Sequence, residues 1–254
     1  MGALQGCTVT EDAAWGLAVG AIGDGVTFAS RVAAYGAAAT AGTRTQVTAT
    51  AFTPPTTTGQ RSIKSTNAAD VYSTGAGAWS VQLNYLNSSF QQQSEVVQLN
   101  GTTAVNTVGT DILYIESMVV QQAGADGANV GTIQLMTGIN GGGTVIGGIN
   151  SSDNQTFWGH HYVNGTQTCY LLSINGGATL ASGYSYLVAQ TLGSANTVGQ
   201  QVSIPVVHLA GLSNDYDIQV PVAIAGPALI TVWECPTTSN ASNVAFSGFE
   251  YVQG

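Results

Sequence analysis

The sequence predicts an all-β protein, with an antiparallel β-sandwich or jelly-roll-like body and an N-terminal arm that is extended or partly helical. Its apolar runs are short, alternate with polar residues and are rich in β-branched or aromatic side chains, as in strands with one buried face. Asn, Gly, Thr and Ser separate the runs. No convincing amphipathic helix lies between them, and parallel sheets need such crossovers, so we expect antiparallel pairing.

The arm comprises residues 1–60, which are dense in Ala, Gly and Thr and contain few large apolar side chains. Residues 33–41 could form a short helix, although Gly36 weakens it. Pro54-Pro55, followed by three threonines and a glycine, predicts a stiff extended connector. We therefore expect two domains, the arm at 1–60 and the β-sandwich body at 61–254.

The body has its clearest strand pattern at residues 79–86, and about twelve such runs reach to residue 252. Large side chains alternate there with polar ones, the large ones being Trp79, Val81, Leu83 and Tyr85. We expect these four to share the buried face.

Dipeptides that favour turns separate the runs. Asn100-Gly101 and Asn140-Gly141 readily supply the positive φ angles of tight hairpin turns. Gly226-Pro227 is expected to be a turn between two strands. Proline removes a ladder donor, so Pro221 should lie at a sheet edge, a bulge or a strand end.

The charge distribution is uneven and excludes some partners. Only 7% of residues are charged, and all four basic residues lie in the first 64 positions. Residues 65–254 contain ten acids and no Lys or Arg, a net charge of −10 that would repel nucleic acid and anionic membranes. A chain so poor in charge is also suited to burying its surface in an assembly.

His160 and His161 are the first candidates for metal ligands, with Asp153 close by in sequence and His208 distant. Neighbouring residues of a strand point to opposite faces, so at most one of the pair could join a common site. The alternative is a pair of structural histidines whose hydrogen bonds are satisfied. We expect no metal and no cofactor.

Catalytic residues are not evident in the sequence. Asp215 and Asp217 would share one face of an extended chain and could serve glycoside hydrolysis, a weak cation site or only a polar loop. There is no G-x-S-x-G nucleophile elbow. We expect a protein that is not an enzyme, in which Cys169 is a buried small hydrophobe.

Trp158 and Tyr162 are candidates for an aromatic platform that stacks on a sugar. Aromatic side chains in strands are more often buried in a core or an interface. The sequence permits both interpretations.

Several blocks of the body, taken together, resemble a group of tailed-bacteriophage virion proteins. They are RSIKSTNAADVYSTGAGAWSVQLNYL, EVVQLNGTTAVNTVGTDILYIESMVV, GANVGTIQLMTGINGGG, DNQTFWGHHYVNGTQTCYL and VAIAGPALITVWE. The likeness spans about three quarters of the chain, and the first 60 residues do not share it. Some proteins of this group are similar to head decoration, or cement, proteins that bind the outside of the capsid as trimers.

The resemblance implies a structural virion protein on the capsid exterior, a homotrimer whose partner is the major capsid protein. Combined with the charge distribution, it predicts attachment through the arm and the start of the body. The candidate attachment residues are Trp15, Phe28, Arg31, Arg44 and Arg61. The alternative is a tail, baseplate or fibre component that binds a host surface glycan through Trp158 and Tyr162.

Overall fold

The computed structural model describes residues 26–27, 32–35, 43, 45–178, 183–192, 198–203, 207–209, 214–236 and 242–252. Side chains are described for 43, 45–169 and 223–233, and the remaining strands by their backbone. Throughout these residues the fold is all-β, with no helix. Every strand pair is antiparallel, as the sequence predicted.

The strands in the first two thirds of the chain are β1 (Val26–Thr27), β2 (Val32–Tyr35), β3 (Thr45–Gln46), β4 (Ser62–Ser65), β5 (Ala78–Asn87), β6 (Gln92–Gln98), β7 (Val105–Asn106), β8 (Ile112–Ala123), β9 (Ile133–Met136), β10 (Val145–Ile149) and β11 (His160–Val163). The remaining strands are β12 (Gln167–Ala178), β13 (Gly183–Leu192), β14 (Val198–Ser203), β15 (Val207–Leu209), β16 (Asn214–Ala225), β17 (Ala228–Pro236) and β18 (Ser242–Val252).

These strands form four sheets. One has the order β6-β5-β8 and a second the order β10-β9-β4-β7. A third runs β1-β18-β12-β16, with β2 also on β18, and the fourth runs β11-β17-β13-β14, with β3 on β17 and β15 on β13. The N-terminal strands thus pair with the C-terminal ones, while residues 62–149 make the first two sheets among themselves.

The main core lies between the first two sheets, and aliphatic side chains from both fill it. Its members are Ile63, Ala78, Val81, Leu83, Tyr85, Val97, Leu99, Ile112, Ile115, Met118, Ile133, Leu135, Ile146, Ile149 and Trp158. The two inner faces supply these side chains because alternate residues of a strand point the same way. The result is the sandwich predicted for this part of the body.

Strand β5 departs from the predicted alternation at one residue. Val81, Leu83 and Tyr85 are buried in the core as expected, but Trp79 is only half-buried. The register against β8 shifts on both sides of Ser80, and such a bulge reverses which face the preceding residue occupies. Trp79 instead lies edge-on to Tyr72 on the outside.

The predicted turns differ in detail. Asn140 and Gly141 have φ angles of 55° and 76°, and the Gly142 amide donates to the Ile139 carbonyl, which closes the expected turn between β9 and β10. At Asn100-Gly101 only the glycine has a positive φ, 57°. Asn100 instead forms isolated β-bridges with Val71 and Thr103, which lie outside the named strands.

Gly226-Pro227 is a turn, and its peptide bond is cis. It does not close a hairpin, because β16 before it pairs with β12 while β17 after it pairs with β11 and β13. The turn therefore carries the chain from one sheet to another. Pro221 lies on the edge strand β16, where the register against β12 is interrupted, as predicted.

The arm is extended wherever the structure describes it. Residues 33–35, the start of the possible helix, form part of β2 and pair with β18, since a long neighbouring strand offers backbone partners that an isolated glycine-containing helix lacks. Val47 is fully buried, Phe52 packs against the main core, and the Thr53 amide donates to the Ile146 carbonyl. Residues 45–53 are thus packed on the body, and the domain boundary at residue 60 stays a prediction.

Candidate functional site

The two candidate histidines begin β11, and their side chains diverge. His160 is buried, and its Nε2–H donates to the Ile115 carbonyl at 2.9 Å. Its ring lies 4.3 Å from that of Phe52 and is stacked on Trp158 at 5.5 Å, both measured between centroids. His160 therefore fastens β11 to β8 within an aromatic environment.

His161 faces the other way, toward the carboxylate of Glu116. Its Nδ1 lies 2.7 Å from Glu116 Oε1, and the backbone amide of Tyr162 donates to Glu116 Oε2 at 2.8 Å. The register between β5 and β8 shifts between the pairs Asn84–Ser117 and Tyr85–Ile115. Glu116 is left without an opposite residue, and this bulge aims its carboxylate at β11.

Glu116 and His160 join β8 to β11, and we call this contact a joint. The environment shifts the pKa of both side chains. Burial acts to raise the pKa of Glu116, but the facing His161, the nearby His160 and the hydrogen bond from the Tyr162 amide together outweigh it, and the net pKa is lowered. Burial lowers the pKa of His160 despite the nearby carboxylate. The unfolded chain therefore binds more protons than the folded one at both residues, so acid destabilises the joint.

Opposed side chains fit a structural role for the two histidines, but the hydrogen bonds of His160 are only partly satisfied, because its buried Nδ1 has no partner. In the part of the chain with described side chains, no three His, Cys, Asp or Glu groups come together as metal ligands do. His208 lies on β15, opposite Tyr184 of β13. Among the same residues no helix is long and apolar enough to cross a membrane.

Arg61, an attachment candidate, points into the protein and is only 2% exposed. Its guanidinium donates to the carbonyls of Thr137 at 2.7 Å and Ile112 at 3.0 Å, and also to that of Thr57. It thereby joins the end of the connector to β8 and to the end of β9. Contact with a capsid through Arg61 would require this segment to open, because both terminal nitrogens of the buried guanidinium donate inside the protein.

Asp70 forms a second internal fastening and is completely buried. Oδ1 accepts from the amides of Ala78 at 2.8 Å and Val130 at 2.9 Å. Oδ2 accepts from the Gly131 amide at 2.8 Å and from the Ser65 hydroxyl at 2.5 Å. One carboxylate thus joins the loop after β4, the start of β5 and the loop before β9.

The glycines around Asp70 let the backbone approach this closely. A Cβ on Gly77 would lie 2.2 Å from Asp70 Oδ1, and one on Gly75 would lie 2.0 Å from the Ala69 carbonyl oxygen. Both distances are well inside van der Waals contact. The Gly-Ala-Gly of the first block is therefore explained by close packing on residues 69–71, with Gly77 against the Asp70 carboxylate and Gly75 against the Ala69 carbonyl.

Trp158 and Tyr162, the candidates for a glycan platform, are 2% and 3% exposed. The Trp158 Nε1–H donates to Thr50 Oγ1 at 2.9 Å, and the Tyr162 ring stacks on Tyr114 at 4.7 Å between centroids. A stacking platform needs an exposed ring face, which neither residue offers here. Their burial contradicts the interpretation as a glycan platform. It supports the alternative, in which both side chains belong to the core.

The remaining predicted residues have little described geometry. Trp15, Phe28, Arg31 and Arg44 lie outside the described residues, so attachment through them stays a prediction. Asp215 and Asp217 lie on β16, opposite Asn175 and Ser173 of β12. Cys169 is buried and not in a disulfide, as expected.

The outer face of the β6-β5-β8 sheet carries a row of bonded neutral side chains. Gln121 donates to Gln82, Gln82 to Asn84 and Asn84 to Ser117, over 2.8–2.9 Å. These amides bond mainly to one another. This row of side chains is polar without any ionised group.

Two residues that the sequence reasoning did not single out, Asp70 and Glu116, are central to these joints. A signal exists for each. Glu116 interrupts an apolar run, ILYIESMVV, and an acid inside a buried strand needs internal partners. Asp70 stands beside small residues shortly before Gly-Ala-Gly, a setting that leaves backbone amides free to approach a carboxylate.

Comparison with known proteins identifies no family. No family description and no curated protein matches the chain. Among solved structures, one of infectious bursal disease virus Gt strain overlaps 89% of this chain and 72% of its own, at 10% identity and a TM-score of 0.29. A structure of the Gx strain of the same virus overlaps 92% of this chain and 82% of its own, at 9% identity and a TM-score of 0.22. TM-scores this low do not establish a shared fold, so this likeness does not indicate what the chain does.

Proposed function

We propose that the chain is a structural, non-enzymatic virion protein that decorates and reinforces the outside of a phage capsid. Its partners would be the major capsid protein and further copies of itself in a homotrimer. The resemblance of the sequence blocks to those of phage virion proteins motivates the proposal. Polar side chains inside those blocks hydrogen-bond to other segments of the protein, and this supports the proposal.

The observation that carries the proposal is that the reactive side chains of these blocks bond to the backbone of other segments. Arg61 donates to three carbonyls, Asp70 accepts from three amides, and His160 and Glu116 join β8 to β11. Groups used in this way hold strands in place. A rigid scaffold is what a reinforcing protein needs.

Reinforcement would follow from mass action. A protein that binds the assembled shell but not its dissociated subunits shifts the equilibrium toward the shell. Residues 65–254 have a net charge of −10, which favours solvent exposure of the body. Arg31 and Arg44 would then lie toward the shell.

Cryo-electron microscopy of the intact virus particle tests the location. We expect density for the body on the outer face of the head, arranged as trimers. Density confined to the tail would contradict decoration and would support the adsorption alternative.

Deletion of residues 1–24 tests attachment by the arm. It removes Trp15 but none of the described strands, whereas deletion through residue 60 would also remove the buried Val47 and the packed Phe52. We expect the shortened chain to melt as the full chain does and to lose most of its binding to particles. Trp15→Ser should reproduce part of that loss, and full occupancy by the deleted chain would contradict the assignment.

A further inference from the structure

Asn-Gly pairs are sites at which a protein chain can modify itself, and this sequence contains four of them. Asparagine is thermolabile, because the next amide nitrogen can attack its side-chain carbon, and a following glycine has no Cβ to hinder the approach. Two of the four pairs stand in the same local sequence, Asn-Gly-Thr, at 100–102 and 164–166. A difference in reactivity between these two must therefore be due to the fold.

In two of the four pairs the attacking amide is held by a hydrogen bond. Gly101 is buried, and its amide donates to the Asp70 carbonyl at 2.8 Å. The Gly141 amide donates to Ser62 Oγ at 3.0 Å. Such a bond must break before the nitrogen can lose its proton and attack, so both pairs are protected. The pair at 175–176 lies within β12, a strand with neighbours on both sides.

The remaining pair, Asn164-Gly165, lies in the turn between β11 and β12, and its attacking amide is not held. Among the described residues, no acceptor bonds to the Gly165 amide. The side-chain oxygen of Asn164 accepts from the Thr166 amide at 3.2 Å and from the Thr166 hydroxyl at 3.4 Å. Negative charge develops on this oxygen as the nitrogen attacks, so both donors favour the reaction. Thr166 is exposed, which leaves the turn open to water.

We propose that Asn164 is a self-modification site, at which the folded chain converts an asparagine into aspartate and isoaspartate. A base in the solvent removes the Gly165 amide proton, the nitrogen bonds to Asn164 Cγ, and the Cγ–Nδ2 bond breaks as ammonia leaves with a proton from water. Water then opens the cyclic imide. Cleavage between the nitrogen and Cγ gives aspartate, and cleavage at the main-chain carbonyl carbon gives isoaspartate. No oxidation or reduction takes place, and the inference does not depend on the function proposed above.

The site lies where two turns pack closely. A Cβ on Gly226 would lie 1.8 Å from the Asn164 carbonyl oxygen, and the Gly226 amide donates to the Gln167 carbonyl at 2.8 Å. Isoaspartate routes the main chain through the side-chain carbon and so displaces this carbonyl, and either product adds a negative charge. Close packing leaves little room for the change. The modified chain should therefore melt at a lower temperature than the fresh chain.

Incubation of the full chain in water enriched in heavy oxygen tests the inference, because each hydrolysed asparagine takes up oxygen from water. Peptide mapping by mass spectrometry then gives the labelling rate at each pair. In the folded chain we expect Asn164 to be labelled about tenfold faster than Asn100, or more. In urea, where the fold is lost, the two rates should agree within about twofold. The control Asn164→Gln should keep its melting temperature through an incubation that lowers that of wild type.

Each other outcome counts against the inference. Equal labelling of Asn100 and Asn164 in the folded chain would overturn it. The same excess at Asn164 in urea would overturn it as well, because the local sequence and not the fold would then set the rate. If Asn164→Gln loses as much stability on incubation as wild type does, the modification of Asn164 is not what loosens the packing of the two turns.

Discussion

Replacement of Asp70 by Asn tests how far one buried carboxylate holds the sandwich together. The substitution keeps the size of the side chain and changes one oxygen to an NH₂ group. The amide oxygen is best placed on the side of Ala78 and Val130, whose two amides it can still accept. The NH₂ group then meets the amide of Gly131, donor against donor.

The magnitude follows from these bonds. One buried N–H loses its acceptor, which costs about 1–3 kcal/mol. Two charge-assisted bonds become neutral, at a cost of about 1 kcal/mol each. The expected loss is therefore about 3–5 kcal/mol, a large share of the roughly 5–15 kcal/mol that stabilise a typical domain.

Urea unfolding followed by circular dichroism measures this loss, with Asp126→Asn as the control. Asp126 is exposed, close in space to the same loop, and its backbone amide donates to the Ala76 carbonyl. Its replacement should change stability by less than about 0.5 kcal/mol. An Asp70→Asn protein as stable as the control would refute the role assigned to the carboxylate.

Three further predictions concern the other joints. His160 and Glu116 both have lowered folded-state pKa values, so the free energy of unfolding should fall as pH drops below 6.5 and again below 4.5, the ordinary pKa values of the two side chains. In His160→Gln the first decline, measured by urea unfolding at each pH, should shrink; an unchanged pH profile would contradict the assignment. Trp158→Ala should lower the free energy of unfolding by about 3–5 kcal/mol, and Trp158→Phe should lower it clearly less. If Trp158→Ala instead lost glycan-array binding without losing stability, the glycan-platform interpretation would be supported. Arg61→Lys should lower stability by about 2 kcal/mol, because an ammonium cannot reach three carbonyls at once, and equal thermal melts would contradict this.

Much of the fold could be predicted because its signals are local. Alternation along β5 places Val81, Leu83 and Tyr85 inward, and Asn140-Gly141 closes a turn through φ angles that these two residue types tolerate. Each of these features depends on residues within a few positions of one another.

The joints could not be predicted in the same way. Arg61 reaches carbonyls 51 and 76 positions away, and the Glu116 carboxylate accepts from an amide 46 positions away. Their partners are backbone groups, which every residue carries, so no particular side chain in the sequence identifies them. The same holds for the loops at 104–109 and 138–143, which meet through Asn106 and Asn140.

The sequence by itself determined that the chain forms short antiparallel strands with charge-poor surfaces, because periodicity, turn chemistry and composition are properties of the chain alone. The tertiary structure decided which polar and aromatic side chains are buried and bonded inside the protein. Bulges at Ser80 and Glu116 moved Trp79 outward and aimed a carboxylate inward. Such shifts arise from the register between strands, which is set by contacts across the whole sandwich.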